Sequence, residues 1–169
     1  MAGAAQVFSV MKRSSEAAGS SLIKEGLVDR EAVNGQFRRI LVSYDGSRES
    51  EKALSVALAM AGELGSHLSI LAVAQPGQLA NGTTLVDHTR RLYASKLGRV
   101  ADLASHGGIR LETMIAVGHP AEKILERAER EHPDLIVIGR PETSGVNQPV
   151  IGSISERVAQ HAPCPVLVT

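Results

Sequence analysis

The sequence has few aromatic residues, no tryptophan and a single cysteine. Two tyrosines and two phenylalanines leave the core to aliphatic side chains, in a chain that is 43% hydrophobic. Cys164 alone cannot form an internal disulfide, which predicts a reducing compartment, and we expect the cytoplasm. Because no apolar run approaches the roughly 18 residues that a membrane-spanning helix needs, no membrane partner is expected.

An excess of one charge sign is also missing, since Lys and Arg total 18 and so do Asp and Glu. A nucleic-acid partner would favour a basic excess, so none is expected. The six histidines are scattered, and with one cysteine they lack the spacing of a zinc site. The strings of a Walker A loop, a G-x-G-x-x-G turn and a G-x-S-x-G nucleophile elbow are absent. The sequence therefore predicts neither a catalytic residue nor a metal site of its own.

Over residues 37–169, short apolar runs alternate with amphipathic segments. Five runs resemble strands, and the spacing of apolar residues between them indicates four helices, whose inward sides include Val56 and Leu92. Gly65 stands where one helix is expected to end and Pro120 where another begins. Such alternation implies parallel strands joined by right-handed crossovers. The prediction is an α/β domain: a five-stranded parallel sheet with helices on both faces, in three layers.

Residues 1–36 differ in composition, with small residues and weak periodicity. Lys12 and Arg13 follow the apolar patch rather than precede it, unlike the layout of a secretory signal. The part that reads SLIKEGLVDREAVNG favours a short helix with four apolar residues on one side: Leu22, Ile23, Leu27 and Val28. We expect an N-terminal extension, a helical arm or tail without chemistry, and a transit peptide is the alternative.

Ligands of an open parallel sheet bind outside the carboxyl ends of its strands, near the point where strand order reverses. Three segments leave predicted strand ends: SYDGS after the first, AVAQP after the second and IGRPETSGVNQPVIGS after the fourth. The last ends in Gly-Ser at the start of a predicted helix, where free N–H groups and the helix dipole favour an anion. The residues alone leave two roles open for Asp45 and Ser153, ligand binding or helix capping.

Several segments together resemble the universal stress protein family in the order of their elements. They are ILVSYDGS, VGHPAEKILERAEREHPDLIVIG and APCPVLVT, with Gly139 and the pair Gly152-Ser153. The resemblance covers residues 37–169 and implies a Rossmann-like fold of the adenine-nucleotide α-hydrolase type. It also implies binding of ATP, or of ADP or AMP, alone or with magnesium, with at most slow ATPase activity. The implied function is a stress-response regulator or a nucleotide-dependent switch.

The resemblance also implies which residues hold the nucleotide. Those expected at the nucleoside are Ser43, Tyr44, Asp45, Val73, Ile138 and Gly139. Of these, Asp45 would bond the ribose or the adenine, and Val73 would lie against the base. Arg140 is the one basic residue of the loop and would offset its acid. The phosphates would be held by backbone N–H groups and hydroxyls at the start of the last helix, from Gly152, Ser153, Ile154 and Ser155.

Glu142 departs from the family pattern, in which a glycine stands at this position. A carboxylate about 5 Å from a phosphate charge costs roughly 3 kcal/mol at an effective dielectric of about 20. Three arrangements would avoid this cost: Glu142 points to solvent, it helps to ligate magnesium, or Gly145 supplies the close approach. The alternative function is therefore a nucleotide-free dimeric interaction module. An enzyme acting on a small metabolite in the same cleft has no motif in its favour.

The last predicted strand, PVLVT, is expected at an edge of the sheet, where unpaired N–H and C=O groups invite pairing. In relatives the corresponding strands pair across a dimer, so the resemblance implies a homodimer through this strand, with an isologous interface. Cys164 precedes the strand and is predicted to be a buried small hydrophobic residue.

Overall fold

The computed structural model describes residues 36–75, 82–140 and 152–169. Strands and helices alternate through these ranges. The strands are β1 (Arg39–Tyr44), β2 (His67–Ala74), β3 (Arg110–Val117), β4 (Leu135–Ile138) and β5 (Val166–Val168). The helices are α1 (Arg48–Leu64), α2 (Gly82–His106), α3 (Pro120–Glu131) and α4 (Ser153–His161). The predicted succession of elements is confirmed.

The strands form one parallel sheet in the spatial order β3-β2-β1-β4-β5. Helices α1 and α2 pack on one face, and α3 and α4 pack on the other. This is the predicted three-layer α/β fold. The chain moves outward from β1 to β3 and then returns to the other side of β1, so strand order reverses between β1 and β4. Ligands of such sheets bind at the carboxyl ends of the two strands that flank the reversal.

The core is aliphatic, as the composition requires. Successive side chains of a strand point to opposite faces, so Ile40 and Val42 pack toward α1 and α2 while Leu41 packs toward α3. All four residues of β4 are buried. Its continuous apolar run therefore fits a central strand with helices on both sides.

Asp134 fixes the amino ends of β1 and β4 relative to each other. Its carboxylate accepts hydrogen bonds from the N–H groups of Arg38 at 2.9 Å and Arg39 at 2.8 Å. Its own N–H donates to the carbonyl of Arg39 at 2.8 Å. The two strands then pair from Ile40 and Leu135 onward. This anchor sets the register in which the two strands run toward their carboxyl ends.

Two helices begin or end at residues that the sequence marks. Ser47 is the N-cap of α1, and its hydroxyl accepts a hydrogen bond from the N–H of Ser50 at 3.1 Å. Gly65 ends α1 in the left-handed region at φ 65°, where glycine has no steric penalty. Pro120 stands in the first turn of α3, where its missing N–H costs nothing. The predicted positions of Gly65 and Pro120 are confirmed.

Two predictions about the inward sides of helices are wrong, since Val56 is 36% exposed and Leu92 is 48% exposed. In α1 the buried stripe consists of Ser50, Ala53, Leu54, Ala57 and Ala61. In α2, Tyr93 faces the sheet in place of Leu92 and is 8% exposed. A shift of one residue turns a helical side chain by about 100°, so a stripe that includes Tyr93 and Leu97 leaves Leu92 in solvent.

Some of the predictions fall outside the described ranges. They concern the helical arm within residues 1–35, Glu142 and Gly145. Among the helices that the structure describes, none combines the length and the hydropathy that a membrane crossing requires.

Cys164 is half-buried just before β5. Burial raises the pKa of its thiol to about 11, and nearby Asp134 acts in the same direction. Because the thiolate is the reactive form, we expect iodoacetamide to alkylate Cys164 about a hundredfold more slowly at neutral pH than an ordinary cysteine. Mass spectrometry of the native chain would measure the rate, with the urea-unfolded chain as control. The rate should still rise with pH above 9, and a plateau below that pH would contradict the prediction.

Candidate functional site

The carboxyl ends of β1 and β4 meet the first turns of α1 and α4. Strand β1 ends at Tyr44 and continues into Asp45, and β4 ends at Ile138 and continues into Gly139. Helix α4 begins beside them with Gly152 as its N-cap. The fold therefore brings together, at the point where strand order reverses, the predicted segment after β1 and both ends of the predicted segment after β4.

The N-terminus of α4 carries no side-chain cap among the described residues. The first N–H that donates within the helix is that of Glu156, which bonds the carbonyl of Gly152 at 2.8 Å. The preceding N–H groups of Ser153, Ile154 and Ser155 have no acceptor in the part of the chain that the structure describes. Free N–H groups at the positive end of a helix dipole form an anion-binding position. The start of α4 is therefore suited to a phosphate or carboxylate.

The start of α1 differs, because a side chain caps it. The N–H of Ser47 donates to Oδ1 of Asp45 at 2.9 Å, and the N–H of Ser50 donates to the hydroxyl of Ser47 at 3.1 Å. The hydroxyl of Ser50 donates in turn to the carbonyl of Ser47 at 3.0 Å. Of the two helix starts beside the crevice between the carboxyl ends of β1 and β4, the one at α4 is therefore the one that lacks a side-chain cap among the described residues.

The four predicted phosphate-binding residues do not present the same groups. Ser153 and Ile154 are exposed, and Gly152 is partly exposed. Ser155 is 2% exposed, and its hydroxyl donates to the carbonyl of Gly139 at 3.1 Å. The Ser155 hydroxyl therefore joins α4 to the end of β4, while its N–H belongs to the open helix start.

Gly139 is enclosed by backbone. A Cβ atom built on it would lie 2.7 Å from both the carbonyl carbon and the carbonyl oxygen of Glu49, and 2.9 Å from the N atom of Ser50. A side chain at this position would therefore collide with the first turn of α1. Besides its predicted place at the nucleoside, Gly139 has a packing role that brings β4, α1 and α4 into direct contact.

The structure shows the structural one of the two roles that the sequence left open for Asp45. Its Oδ1 accepts the N–H of Ser47 and closes the turn into α1. Partial desolvation acts to raise the pKa of this carboxyl, but hydrogen bonds from Ser47 and Ser50 outweigh it, so the pKa lies below its ordinary value. Asp45 is therefore an anion at neutral pH. Its carboxylate can accept a hydrogen bond from a ligand hydroxyl or amine.

Sequence reasoning missed Tyr93, which supports Asp45 from α2. The hydroxyl of Tyr93 donates to the backbone carbonyl of Asp45 at 3.2 Å. Its ring meets that of Tyr44 edge to face, with centroids 6.3 Å apart. Tyr44 is 4% exposed, so its ring belongs to the core under the crevice. No local pattern links α2 to a residue 48 positions earlier.

The other predicted contacts lie at the ends of β2 and β4. Val73 is 6% exposed and Ile138 is 5% exposed, and both belong to the cluster on the α3 and α4 side. Ser43 is half-buried within β1. Arg140 is exposed, and its N–H donates to the carbonyl of Thr169 at 3.0 Å, which extends the pairing of β4 with β5. Val73 and Ile138 are therefore buried at the ends of their strands, whereas Arg140 faces solvent.

Carboxylates, imidazoles and thiols do not cluster as a metal centre in the described ranges. Two cavities that described residues line are on the α3 side of the sheet, away from Asp45 and the start of α4. At the carboxyl ends of β1 and β4, the described residues offer a ligand one carboxylate, three backbone N–H donors and apolar side chains.

The family model described as Universal stress protein family matches residues 36–169. The chain is 32% identical over 145 residues to the universal stress protein YxiE of Bacillus subtilis, which covers 78% of this chain and 98% of the relative. It is 35% identical over 134 residues to a universal stress protein of Thermus aquaticus, with coverage of 78% and 98%.

Solved structures of universal stress proteins share the fold. UspA from Lactobacillus plantarum has a TM-score of 0.70 at 26% identity, over 79% of this chain and 97% of that one. A universal stress protein in complex with cAMP has a TM-score of 0.63 at 24% identity, over 79% and 97%. A family protein of Arabidopsis thaliana with AMP bound has a TM-score of 0.55 at 19% identity, over 77% and 89%. At such identities the last two establish the fold alone.

Proposed function

The chain belongs to the universal stress protein family, and from this premise we propose that it binds an adenine nucleotide at the carboxyl ends of β1 and β4. The observation that carries the proposal is the open start of α4, where the N–H groups of Ser153, Ile154 and Ser155 have no described acceptor. The complexes with cAMP and AMP have this fold and support the same ligand class. The function we propose is that of a cytoplasmic stress-response regulator or nucleotide-dependent switch.

The residues present fit a nucleoside with a charged tail. The N–H groups at the start of α4 would bind phosphate oxygens, and Gly152 would let the backbone approach them closely. The carboxylate of Asp45 would accept a hydrogen bond from the ribose or the adenine. Val73 and Ile138 would supply an apolar surface for the base. ATP is our first choice, with ADP or AMP as the shorter ligands of the same class.

Magnesium would enter with the phosphates rather than through a site of the protein alone. Carboxylate and phosphate oxygens suit this hard cation, and Asp45 offers the described carboxylate of the crevice. We propose at most slow ATP hydrolysis. A good general base has a pKa near the working pH, whereas the pKa of Asp45 is lowered.

The composition of the chain makes the proposal easy to test. With no tryptophan and two tyrosines, the protein absorbs weakly in the near ultraviolet. A co-purified adenine nucleotide would therefore dominate the spectrum of a native preparation, and unfolding followed by desalting would remove it. Millimolar magnesium-ATP should also raise the melting temperature, because it binds the folded state. An adenine-free spectrum together with an unchanged melting temperature would support the nucleotide-free interaction module.

Glu142 separates the two hypotheses. If its carboxylate faces the phosphates, Glu142→Gly should tighten ATP binding by up to about a hundredfold, the equivalent of roughly 3 kcal/mol of repulsion. Calorimetric titration of both proteins would measure the change. Glu126→Gln removes the same charge from an exposed position on α3 and should leave the affinity unchanged. Weaker binding by Glu142→Gly would instead indicate that Glu142 ligates magnesium.

We also propose a homodimer through β5. This strand lies at an edge of the sheet, and within the described residues it pairs only with β4. Two copies related by a two-fold axis would satisfy each other's outer N–H and C=O groups. Light scattering of the intact chain should give the mass of two copies, and the mass of one copy would refute the proposal.

A further inference from the structure

Helix α2 contacts the turn between β1 and α1 through Tyr93. This residue is 8% exposed and belongs to the core cluster on the α1 and α2 side of the sheet. Its hydroxyl donates to the backbone carbonyl of Asp45 at 3.2 Å. Burial raises the pKa of this hydroxyl, and the charge of Asp45 acts in the same direction. The hydroxyl therefore keeps its proton at neutral pH and remains a donor to the carbonyl.

The turn is closely surrounded on the side of α2. Gly46 adopts φ 80°, in the left-handed region that favours glycine. A Cβ atom built on Gly46 would lie 3.4 Å from Nζ of Lys96 and 3.9 Å from Cε1 of Tyr93, and both of these residues belong to α2. The peptide between Asp45 and Gly46 is therefore both enclosed and hydrogen-bonded by α2.

The bond from Tyr93 differs in kind from the bond that Asp45 makes to Ser47. The N–H of Ser47 orients the carboxylate of Asp45 within the turn, because the two residues are only two positions apart. Strand β1 pairs with β2 as far as Tyr44, so Asp45 is the first residue beyond that ladder. Tyr93 is 48 positions away in the chain, and its bond attaches this first unpaired residue to another element.

We propose that Tyr93 is a positioning residue for nucleoside binding, an inference that rests on the proposed function. By holding the carbonyl of Asp45, Tyr93 keeps the carboxylate of Asp45 at the place where the nucleoside binds. Tyr93 acts through Asp45, since its hydroxyl is directed at that carbonyl and its ring meets the ring of Tyr44. The contrasting role is a hydroxyl that only stabilises the fold.

Tyr93→Phe tests the proposal, because it removes the hydroxyl and keeps the ring. A neutral hydrogen bond changes an equilibrium constant about fivefold, so ATP should bind about fivefold more weakly. Inorganic triphosphate has no nucleoside for Asp45 to bind, so its affinity should not change. Calorimetric titration of the intact chain with each ligand, in the presence of magnesium, would measure both affinities. A purely structural role would not separate the two ligands in this way.

Ser66→Ala is the matched control for the loss of a buried hydroxyl. Ser66 is 1% exposed, and its hydroxyl donates to the carbonyl of Phe37 near the amino ends of the strands. Both variants thus remove one hydroxyl-to-carbonyl bond, and both should lower the melting temperature. The Ser66→Ala protein should nevertheless bind ATP as tightly as the natural chain, since this bond lies at the opposite end of the sheet from Asp45.

A double-mutant cycle assigns the effect to Asp45. In an Asp45→Ala background, Tyr93→Phe should leave the affinity for ATP unchanged, because no carboxylate remains to be positioned. A fivefold loss in both backgrounds, an equal loss for inorganic triphosphate, or an undiminished ATP affinity of Tyr93→Phe would each overturn the proposal. If the natural chain itself bound no ATP, the proposed function would fail and this inference with it.

Discussion

Gly139→Ala should lower the free energy of unfolding by about 3 kcal/mol, the upper end of what overpacking of a close contact costs. The added methyl group would lie 2.7 Å from the backbone of Glu49 and 2.9 Å from the N atom of Ser50. Because both neighbours are backbone in the first turn of α1, the contact cannot be relieved by a change of rotamer. Strand β4 and helix α1 would have to separate.

The matched control is Gly98→Ala on the exposed side of α2. A Cβ atom built on Gly98 meets nothing within 4 Å. Replacing an exposed glycine inside a helix should raise the free energy of unfolding by up to about 1 kcal/mol. Urea titrations of the three proteins would give both changes. If Gly139→Ala were as stable as the natural protein, the close contact of β4 with α1 would not be a rigid feature of the fold.

The effect of Gly139→Ala should extend to the nucleotide site. Ser155 holds the start of α4 through its bond to the carbonyl of Gly139, so a displaced Gly139 displaces the open N–H groups as well. A loss of stability and a loss of affinity are therefore expected together. This coupling distinguishes Gly139 from residues that only contact the ligand.

The fold was predictable because its signals are local. Strand and helix periodicity, Gly65 after α1 and Pro120 at the start of α3 are each contained within a few residues of the sequence. The place of the candidate site follows from the parallel sheet, since ligands collect at the carboxyl ends beside the reversal of strand order. The segments after β1 and β4 were identified on this ground.

The contacts inside the site were not predictable because they join distant residues. Position 139 requires a glycine because a side chain there would collide with the backbone of Glu49. Tyr93 donates a hydrogen bond to the carbonyl of Asp45 from another helix. Ser155 is predicted from the sequence to bind phosphate, whereas in the structure its hydroxyl donates to the carbonyl of Gly139. Each of these roles depends on which elements touch, and composition and spacing within one segment do not contain that information.

The two helix starts beside the crevice show how the sequence divides structural and binding roles. At α1, the hydroxyl of Ser47 accepts the N–H of Ser50, and Asp45 accepts the N–H of Ser47, so that terminus is already capped by the protein. At α4, Gly152 stands at the cap position and has no side chain to bond them. A negative charge supplied at α4 would therefore substitute for the missing cap.

Ser153→Glu uses this difference and should change stability and affinity in opposite directions. Ser153 is exposed at the first position of α4, so a carboxylate there would interact favourably with the helix dipole and stabilise the fold by about 0.3–1 kcal/mol. The same carboxylate would stand about 4 Å from a bound phosphate and repel it by about 4 kcal/mol at an effective dielectric of about 20. ATP should then bind about a thousandfold more weakly.

Gln160→Glu adds the same charge at the other end of α4 and is the control. Near the negative end of the dipole it should cost a few tenths of a kcal/mol and leave the affinity unchanged. Calorimetric titration with ATP gives the affinities, and urea unfolding without ligand gives the stabilities. If Ser153→Glu bound ATP as tightly as the natural chain, the phosphates would not be held at the start of α4. If it lost stability as well as affinity, the start of α4 would not favour a negative charge, and the premise for an anion-binding position there would fail.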